Sequence, residues 1–436
     1  MEDEIPFEVP EGWAWCKLND IYNFIDYRGA TPTKITNGIP LVTAKNVKSG
    51  YIDYTIDDYI SEEEFKERQQ RGISKKGDIL FTTEAPLGNA ALADMEKFSA
   101  GQRLITFQQY GSKNELINYV MLMFILSDFF QQQLYVNKTG STVAGIKAAI
   151  LKTLWIPVPP YNEQLRISNT LKSAINLIDS ISKNKEILST SISNTKSKIL
   201  DLAIRGKIVP QDPNDEPASV LLERIRAEKE ELIKQGKIKR DKKESVIFKG
   251  DDNSYYGIHL PDSWNWASLR EIALSISDGS HNPPPNNGSG IPLLSAANIN
   301  DNSILMNEIS RWITNEEWKI ENQRTNIEVG DVLLTIVGSI GRSAVVQNNN
   351  HFALQRSVAV IKPCLINPLY LMHIVQSPQI QKWLTDNSKG TAQKGIYLNA
   401  LSLMIIPIPP LAEQARIVEH IHIAYKQLDL ISNALL

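Results

Sequence analysis

Few stretches of this sequence carry residue types and spacings that could do chemistry. Gly140 to Lys147 has the glycine spacing of a phosphate-cradling loop, whose lysine must reach the phosphate oxygens. Ile146 stands where that lysine is needed, so the reading is discarded. Asn282-Pro283-Pro284-Pro285 begins like the Asn-Pro-Pro-aromatic signature that holds a flipped adenine. Pro285 fills the aromatic position and no Gly-rich cofactor loop precedes it, which leaves a rigid polyproline turn. His420 and His422 are two apart on a predicted helix, so they point to different faces and are read as solvated. Cys16 and Cys364, the two cysteines, sit in different halves, which excludes a disulfide framework and a cysteine-rich zinc site. No nucleophile, base and orienter can be assembled from any local motif.

Composition bounds the class. The chain has 436 residues, 42% hydrophobic and 22% charged, which predicts about two to three soluble domains with real cores. A formal net charge of −3 argues against a purely electrostatic DNA binder and leaves room for local basic faces. The acidic start Met1-Glu2-Asp3-Glu4 has no signal-peptide pattern. Val120 to Leu126, the most apolar run, is too short to span a bilayer and predicts a buried helix. The expected compartment is the cytoplasm, with no membrane partner.

The elements that must position any site come in two copies. Gly140-Ser141-Thr142-Val143-Ala144-Gly145-Ile146 returns as Gly390-Thr391-Ala392-Gln393-Lys394-Gly395-Ile396, offset 250. Ile156-Pro157-Val158-Pro159-Pro160 returns as Ile406-Pro407-Ile408-Pro409-Pro410, and Glu163-Gln164 as Glu413-Gln414, at the same offset. Trp13/Trp15 match Trp264/Trp266 at 251, Gly38-Ile39-Pro40 matches Gly290-Ile291-Pro292 at 252, and Gly77-Asp78 and Gln102-Arg103 match Gly330-Asp331 and Gln355-Arg356 at 253. A repeat this long is a duplicated domain, not a solenoid unit.

Each half reads as mixed α and β. Asp78 to Thr82 and Asp331 to Thr335 follow Gly-Asp turns as buried strands, and Arg103 to Phe107 and Ser357 to Ile361 have strand length. Asn114 to Leu134 and Pro368 to Leu384 carry helical spacing. The tryptophan pairs alternate as in a strand, which favours packing over base stacking. Pro159-Pro160 and Pro409-Pro410 stiffen the exits. Beyond the first lie Ile167, Leu171, Ala174, Ile178, Ile181, Leu188, Ile192, Ile199 and Leu202, a heptad seam interrupted by Lys185 and Thr195. Ile417, Ile421, Ala424, Leu428, Ile431 and Leu435 repeat it, so the predicted partner of each helix is the other copy. The first helix is expected to stop near Gly206, and a charged helix is predicted from Ala218 to Gln235. Lys234 to Lys243 is basic, either a solvated linker or a patch steering DNA or an acidic surface.

Taken together, these motifs resemble the DNA specificity subunit of type I restriction–modification systems. Asp201-Leu202-Ala203-Ile204-Arg205-Gly206-Lys207-Ile208-Val209-Pro210-Gln211-Asp212-Pro213, continued by Glu216-Pro217-Ala218-Ser219 and Leu222-Glu223-Arg224-Ile225, resembles that family's central region. The likeness covers nearly the whole chain. It implies a mixed α/β fold with two target-recognition domains, residues 1–160 and 251–410. Long helices in a central conserved region, 161–250, and a short C-terminal one, 411–436, would form an antiparallel coiled-coil spacer. It also implies a non-catalytic subunit that binds double-stranded DNA and docks methylation subunits, expected to number two. S-adenosylmethionine would sit on those partners, and ATP with magnesium on the restriction subunits of the full complex. This chain would bind no cofactor and no metal.

The family motifs do not supply base-contacting residues, so candidates rest on chemistry. Arg, Lys, Asn and Gln make bidentate base contacts, whereas Ser, Thr and Lys suit phosphates. In the first domain these are Arg28, Lys34, Lys45, Asn46, Arg103, Lys138, Thr139 and Lys147. In the second they are His281, Asn298, Arg342, Arg356, Lys389, Thr391 and Lys394. Gln102-Arg103 and Gln355-Arg356 recur at matched positions, as contacts or a shared structural ion pair would. A helix from Glu163 to Ile204 would be roughly 60 Å long, enough to set readers about 34 Å apart. The rival readings are a stand-alone methyltransferase or nuclease, which needs a cofactor loop or a metal cluster, and a duplicated adaptor outside restriction–modification. The second copy reaches only the equivalent of Glu186, short of the Ile204 equivalent by 204 − 186 = 18 residues. Family members carry a fuller second helical region, so this departure speaks against equal docking of two methylation subunits.

Overall fold

The structure, a computed structural model, describes residues 6–27, 31–55, 57–110, 116–140, 144–240, 254–390 and 394–435. The chain divides into two compact units, residues 1–182 and 183–436, with the cut inside the long helix.

Unit 1 contains β1 (Ala14–Lys17), β2 (Tyr22–Asp26), β3 (Ile39–Val42), β4 (Ile79–Thr83), β5 (Leu87–Leu92), β6 (Leu104–Gln109) and β7 (Trp155–Val158). An antiparallel sheet of order β2-β6-β4-β5 forms its centre. Every residue of β4 is buried, because both faces are covered. Ile79 and Phe81 point into the cluster with helix α1 (Asn118–Ile125) and helix α2 (Asp128–Val136), whereas Leu80 joins Val42 and Ala91 on the other face. β3 pairs antiparallel with Tyr59–Ile60 and parallel with Ser99–Ala100. Asp78, before β4, accepts from Lys75 N at 2.8 Å and Gln108 Nε2 at 2.9 Å, which fixes the Gly-Asp turn.

Two sequence expectations change here. The proline exit is itself a strand: β7 pairs antiparallel with β1, Trp15 opposite Pro157. A two-stranded ribbon has open edges, so the missing proline N–H leaves no ladder bond unmade. The helical stretch before it is two helices, not one. Ser127 ends α1 by donating to Phe124 O at 2.6 Å and caps α2. The apolar periodicity runs through this corner, and so conceals it.

Helix α3 spans Tyr161–Ile204, and α4 spans Ala218–Lys234. The glycine stop holds: Gly206 adopts φ +65°. α4 buries Ala218, Leu221, Leu222 and Ile225 against unit 2, and Lys229 Nζ donates to the carbonyls of Arg270 and Ala273 at 2.8 and 2.9 Å.

Unit 2 repeats the topology with β8 (Asn265–Ser268), β9 (Ala273–Asp278), β10 (Ile291–Leu294), β11 (Val332–Thr335), β12 (Ser343–Val345), β13 (Val358–Pro363) and β14 (Ile405–Ile408). The central order is β9-β13-β11-β12, β10 lies between Trp312–Ile313 and Ala353–Leu354, and β8 pairs with β14. Helices α5 (Pro368–Val375) and α6 (Pro378–Asp386) turn at Ser377, whose Oγ donates to Ile374 O at 2.6 Å. Asp331 accepts from Glu328 N and Lys362 Nζ, both at 2.8 Å. Burial raises the carboxyls of Asp78 and Asp331 above the usual range.

Helix α7 (Leu411–Asn433) runs antiparallel to the C-terminal part of α3. Lys196 Nζ reaches Asp429 Oδ1 at 2.5 Å, and Leu200, Ala203 and Ile204 share a core with Ile417 and Ile421. The expected seam is therefore formed over only part of its length. Ile192 is buried, but Ile178 and Ile181 are 60% and 58% exposed. Because Asp429 lies opposite Lys196, α7 covers α3 no further than the turn around Ile192.

Candidate nucleic-acid interface

In both units the sheet brings two separate sequence motifs to one strand end. In unit 1, Thr83 N donates to Arg103 O at 2.9 Å, and Ile146 N donates to Thr83 O at 3.0 Å. Thr139 and Gly145 exchange both backbone bonds, at 2.8 and 3.0 Å, and Gly145 also bridges to Glu84. The Gln-Arg corner and the polar turn thus share the end of β4. Arg103 Nε pairs with Glu84 Oε1 at 3.1 Å, and its backbone sits at φ +63°. A non-glycine residue held there stores local strain, which proteins retain mainly where a side chain must be aimed.

The other candidates of unit 1 surround this corner. Gln102 Nε2 donates to Thr31 Oγ1, which ties the segment carrying Lys34 to it. Lys34 itself is paired with Asp58 at 2.6 Å. Lys45 is exposed on the turn after Thr43, and a Cβ on Gly101 would meet the Thr43 methyl at 2.9 Å. Lys138 lies over the ring of Tyr135, 4.7 Å from its centroid, and Lys147 is exposed where the turn enters a short helix.

Unit 2 builds the same corner with other side chains. Ile336 N donates to Ser357 O at 2.8 Å, Ile396 N to Ile336 O at 2.9 Å, and Lys389 and Gly395 exchange bonds at 2.8 Å. Thr335 N donates to Arg342 O at 2.9 Å, and Gly338 N to Lys394 O at 3.1 Å. Arg342, Arg356, Lys389 and Lys394 are all exposed there. Arg356 N donates to Ser280 O at 2.9 Å, which sets His281 beside the corner, 2.8 Å from Asp278 Oδ2. Burial raises the carboxyl of nearby Asp301, with Arg342 pulling the other way. Val337 occupies the place of Glu84 (337 − 84 = 253), so the recurrence of Gln-Arg is not that of a shared ion pair.

Asn46 and Asn298 are corrections. They match at offset 252 and are 3% and 2% exposed. Asn46 Oδ1 accepts from Thr43 N at 3.0 Å and its Nδ2 donates to Asp53 O at 3.0 Å. Asn298 Oδ1 accepts from Ser295 N at 3.0 Å and Nδ2 donates to Glu308 O at 2.9 Å. These amides peg a turn and have nothing left to offer a base edge. Arg28 and Thr391 lie outside the described residues, as do parts of both polar turns and the end of the basic stretch from Lys234.

Sequence reasoning missed three neighbours of these corners. Arg324 donates from Nε to Asp278 O at 2.9 Å and from Nη2 to the carboxylate, with half its side chain exposed next to His281. Tyr135 and Tyr397 are 64% and 70% exposed beside the two polar turns. Tyr397 could have been found, since it stands at the equivalent of Lys147 (397 − 147 = 250). Exposed cations with a tyrosine ring suit a phosphate backbone and an exposed base edge. Among the described residues no group of three His, Cys, Asp or Glu side chains is placed to hold a metal, and no helix is long and apolar enough to cross a membrane.

The model of the type I restriction modification DNA specificity domain matches the chain twice, over residues 10–189 and 261–435. The chain is similar to the EcoEI specificity subunit of Escherichia coli, 26% identical over 506 residues, covering 100% of this chain and 81% of that protein. To the EcoBI specificity subunit of Escherichia coli it is 23% identical over 432 residues, 97% of this chain and 81% of that one. The HsdS subunit from Thermoanaerobacter tengcongensis shares the fold, with a TM-score of 0.55 at 18% identity over 100% of this chain and 94% of the other. A chain from a structure of the type I R-M system aligns with a TM-score of 0.61 at 19% identity, covering 99% of this chain and 94% of that chain.

Proposed function

This chain belongs to the type I restriction–modification DNA specificity family, as a non-catalytic specificity subunit, and on that premise we propose how its two units divide the work. Each unit reads one half of a bipartite duplex site through the corner where β4 or β11 ends. The observation that carries this is the duplication itself: one backbone arrangement presents Glu84, Thr139 and Lys147 in one copy and Val337, Lys389 and Tyr397 in the other, with Arg103 and Arg356 beside it. One scaffold with different side chains is what reading two unlike half-sites requires.

Lys45, Lys138, Thr139, Lys147, Lys389 and Lys394 are assigned to phosphates, and Arg103, Arg342, Arg356 and His281 to base edges. Lys34 joins the phosphate set once it leaves Asp58. Arg28 and Thr391 stay in the proposed set on residue type alone. Helix α3 keeps the half-sites at a fixed spacing. Its exposed apolar residues, Leu177, Ile178, Ile181 and Leu188, offer methylation subunits a docking face. Two such subunits carrying S-adenosylmethionine, and restriction subunits carrying ATP and magnesium, complete the complex; this chain binds none of these cofactors.

Methylation-sensitive sequencing of a host expressing this chain with its methylation subunit tests the reading. A bipartite motif is expected, and exchanging residues 1–160 for those of a relative should change one half only. A change in both halves, or a continuous motif, overturns it.

A further inference from the structure

The loop leaving β9 in unit 2, residues 279–286, is anchored along its length. At its root, Arg324 donates from Nε to Asp278 O at 2.9 Å and from Nη2 to Asp278 Oδ1. Ser280 Oγ donates to Glu321 Oε1 at 3.1 Å, and Ser280 O accepts from Arg356 N at 2.9 Å. Farther on, Arg311 Nη2 donates to Pro284 O at 2.8 Å, and Asn286 Oδ1 accepts from Trp312 N at 3.0 Å. Between these anchors Pro283, Pro284 and Pro285 fix their own φ angles. The polyproline turn thus has a use: it stiffens the loop on which His281 stands exposed.

The same contacts decide which ring nitrogen of His281 carries the proton. Nε2 lies 2.8 Å from Oδ2 of the buried Asp278 side chain. Arg324 takes the other oxygen of that carboxylate, so both oxygens act as acceptors. A bond of 2.8 Å to such an oxygen needs an N–H, which puts the proton of the neutral imidazole on Nε2. Arg324 Nη2 also stands 3.3 Å from Nε2, where two donors simply share one carboxylate. Nδ1 is left as an acceptor, and among the described residues nothing hydrogen-bonds to it. In unit 1, Arg71 stands at the equivalent of Arg324 (324 − 71 = 253) and donates to Asp26 O at 3.0 Å, at the end of β2. None of the six histidines lies in unit 1, so the anchor is shared and the imidazole is not.

We propose that His281 reads the exocyclic amino group of an adenine or a cytosine in the major groove, with Asp278 and Arg324 as positioning residues that keep Nδ1 an acceptor. Adenine N6–H2 and cytosine N4–H2 are the donors on the base edges of that groove, whereas guanine and thymine present acceptors. The other tautomer would offer an N–H from Nδ1 and choose the opposite pair. This rests on the reading that unit 2 recognises duplex DNA, and it adds the chemical group recognised at one position of one half-site.

The test uses the full chain with its methylation subunit and duplexes carrying the site found by sequencing. Adenines and cytosines of the unit 2 half-site are replaced one at a time by purine and pyrimidinone, which lack the exocyclic amine. One replacement should weaken binding about tenfold, and the same replacement should cost nothing further in the His281→Ala protein. Asp278→Asn tests the positioning. Arg324 can only donate and so holds the amide oxygen, which turns the amide NH2 toward His281 Nε2 and moves the ring proton to Nδ1. The base preferred at that position should change to guanine or thymine, while the unit 1 half-site stays as it was. A scan in which no amino group depends on His281, or an Asp278→Asn protein that still requires the amino group, overturns the proposal. Should Asp278→Asn fail to fold, the scan with His281→Ala decides alone, since His281 is exposed. A motif that is not bipartite overturns the division of labour between the units, and the scan then runs over the whole motif with the same two outcomes.

Discussion

The first turns of α3 and α7 share a glutamate, glutamine, arginine and isoleucine at matched positions and meet different surroundings. Gln164 and Gln414 are buried alike: each accepts from the backbone N–H of the residue before or at the start of the preceding helix pair, Ile117 at 2.8 Å and Asn367 at 2.9 Å. Each also donates to the carbonyl of its exit proline, Pro159 at 2.9 Å and Pro409 at 3.1 Å. One residue earlier the copies part, because Glu413 is gripped by a segment outside the duplicated domain and Glu163 is not. A duplicated sequence therefore preserves what a group can bind, while burial depends on what the rest of the chain brings to it. Substitutions at matched positions should give equal effects where the partners lie within the domain and unequal effects where they do not.

The largest inequality is expected at Gly206. Its φ of +65° is left-handed, and an added Cβ would lie 2.5 Å from Pro261 Cγ. Gly206→Val combines backbone strain with overpacking and should destabilise unit 2 by about 3–4 kcal/mol, read as a lower urea midpoint. Unit 1 should unfold as before, since none of its residues packs on this glycine.

His373 comes next. It sits on α5 at the position of Met123, its Nδ1 is buried without a partner, and its ring meets Tyr425 edge-on. Burial pushes its pKa down to about 4, with His422 adding to the effect and a hydrogen bond with Gln376 opposing it. The unfolded chain, with an ordinary histidine near 6.5, binds the proton first as pH falls. Stability is therefore full above about pH 6.5 and is lost progressively down to about pH 4, by about 3 kcal/mol in all. His373→Met, which installs the residue of the other copy, should flatten that part of the stability–pH curve in unit 2.

Much of this architecture is legible in the sequence, and the failures have physical causes. Gly-Asp turns, tryptophan alternation and repeat offsets mark the strands because strand residues and turn residues differ in kind. The corners at Ser127 and Ser377 are both hidden behind apolar spacing that continues across them, although Pro378 marks the start of α6. The heptad seam is written along the whole of α3, but a seam shows only that a partner would fit. For the candidate interface, residue type identified the exposed cations, while burial removed Asn46 and Asn298. Nothing in an isolated asparagine shows whether its amide faces a base or its own turn.

Those two asparagines provide the equal case. Asn46→Ala and Asn298→Ala each remove the amide that accepts from the turn's first N–H and donates to a carbonyl beyond it, so each should cost about 2 kcal/mol in its own unit. Half-site preference should be unchanged once both proteins are folded. A loss in one unit more than about 1 kcal/mol larger than in the other would show that the turn is held differently in the two copies.

The smallest effect is the sharpest division between the copies. Trp264→Phe removes the donor that reaches Glu413, a carboxyl already raised above its usual range by burial. Gln211 remains as its hydrogen-bond donor there, so the loss should be about 1–2 kcal/mol, within the range for a bond to a charged group. Trp13→Phe removes a buried donor that has no partner, so the isolated chain should lose nothing and gain up to about 1 kcal/mol. Both variants keep a large aromatic ring in place, and packing changes therefore largely cancel in the comparison. Urea unfolding of the two proteins side by side measures the difference. If both lose stability equally, Trp13 has a partner inside its own unit and the two helix feet are alike after all. If only Trp264→Phe is costly, the two helix feet differ in what their indole N–H groups meet, a partner in unit 2 and none among the described residues of unit 1.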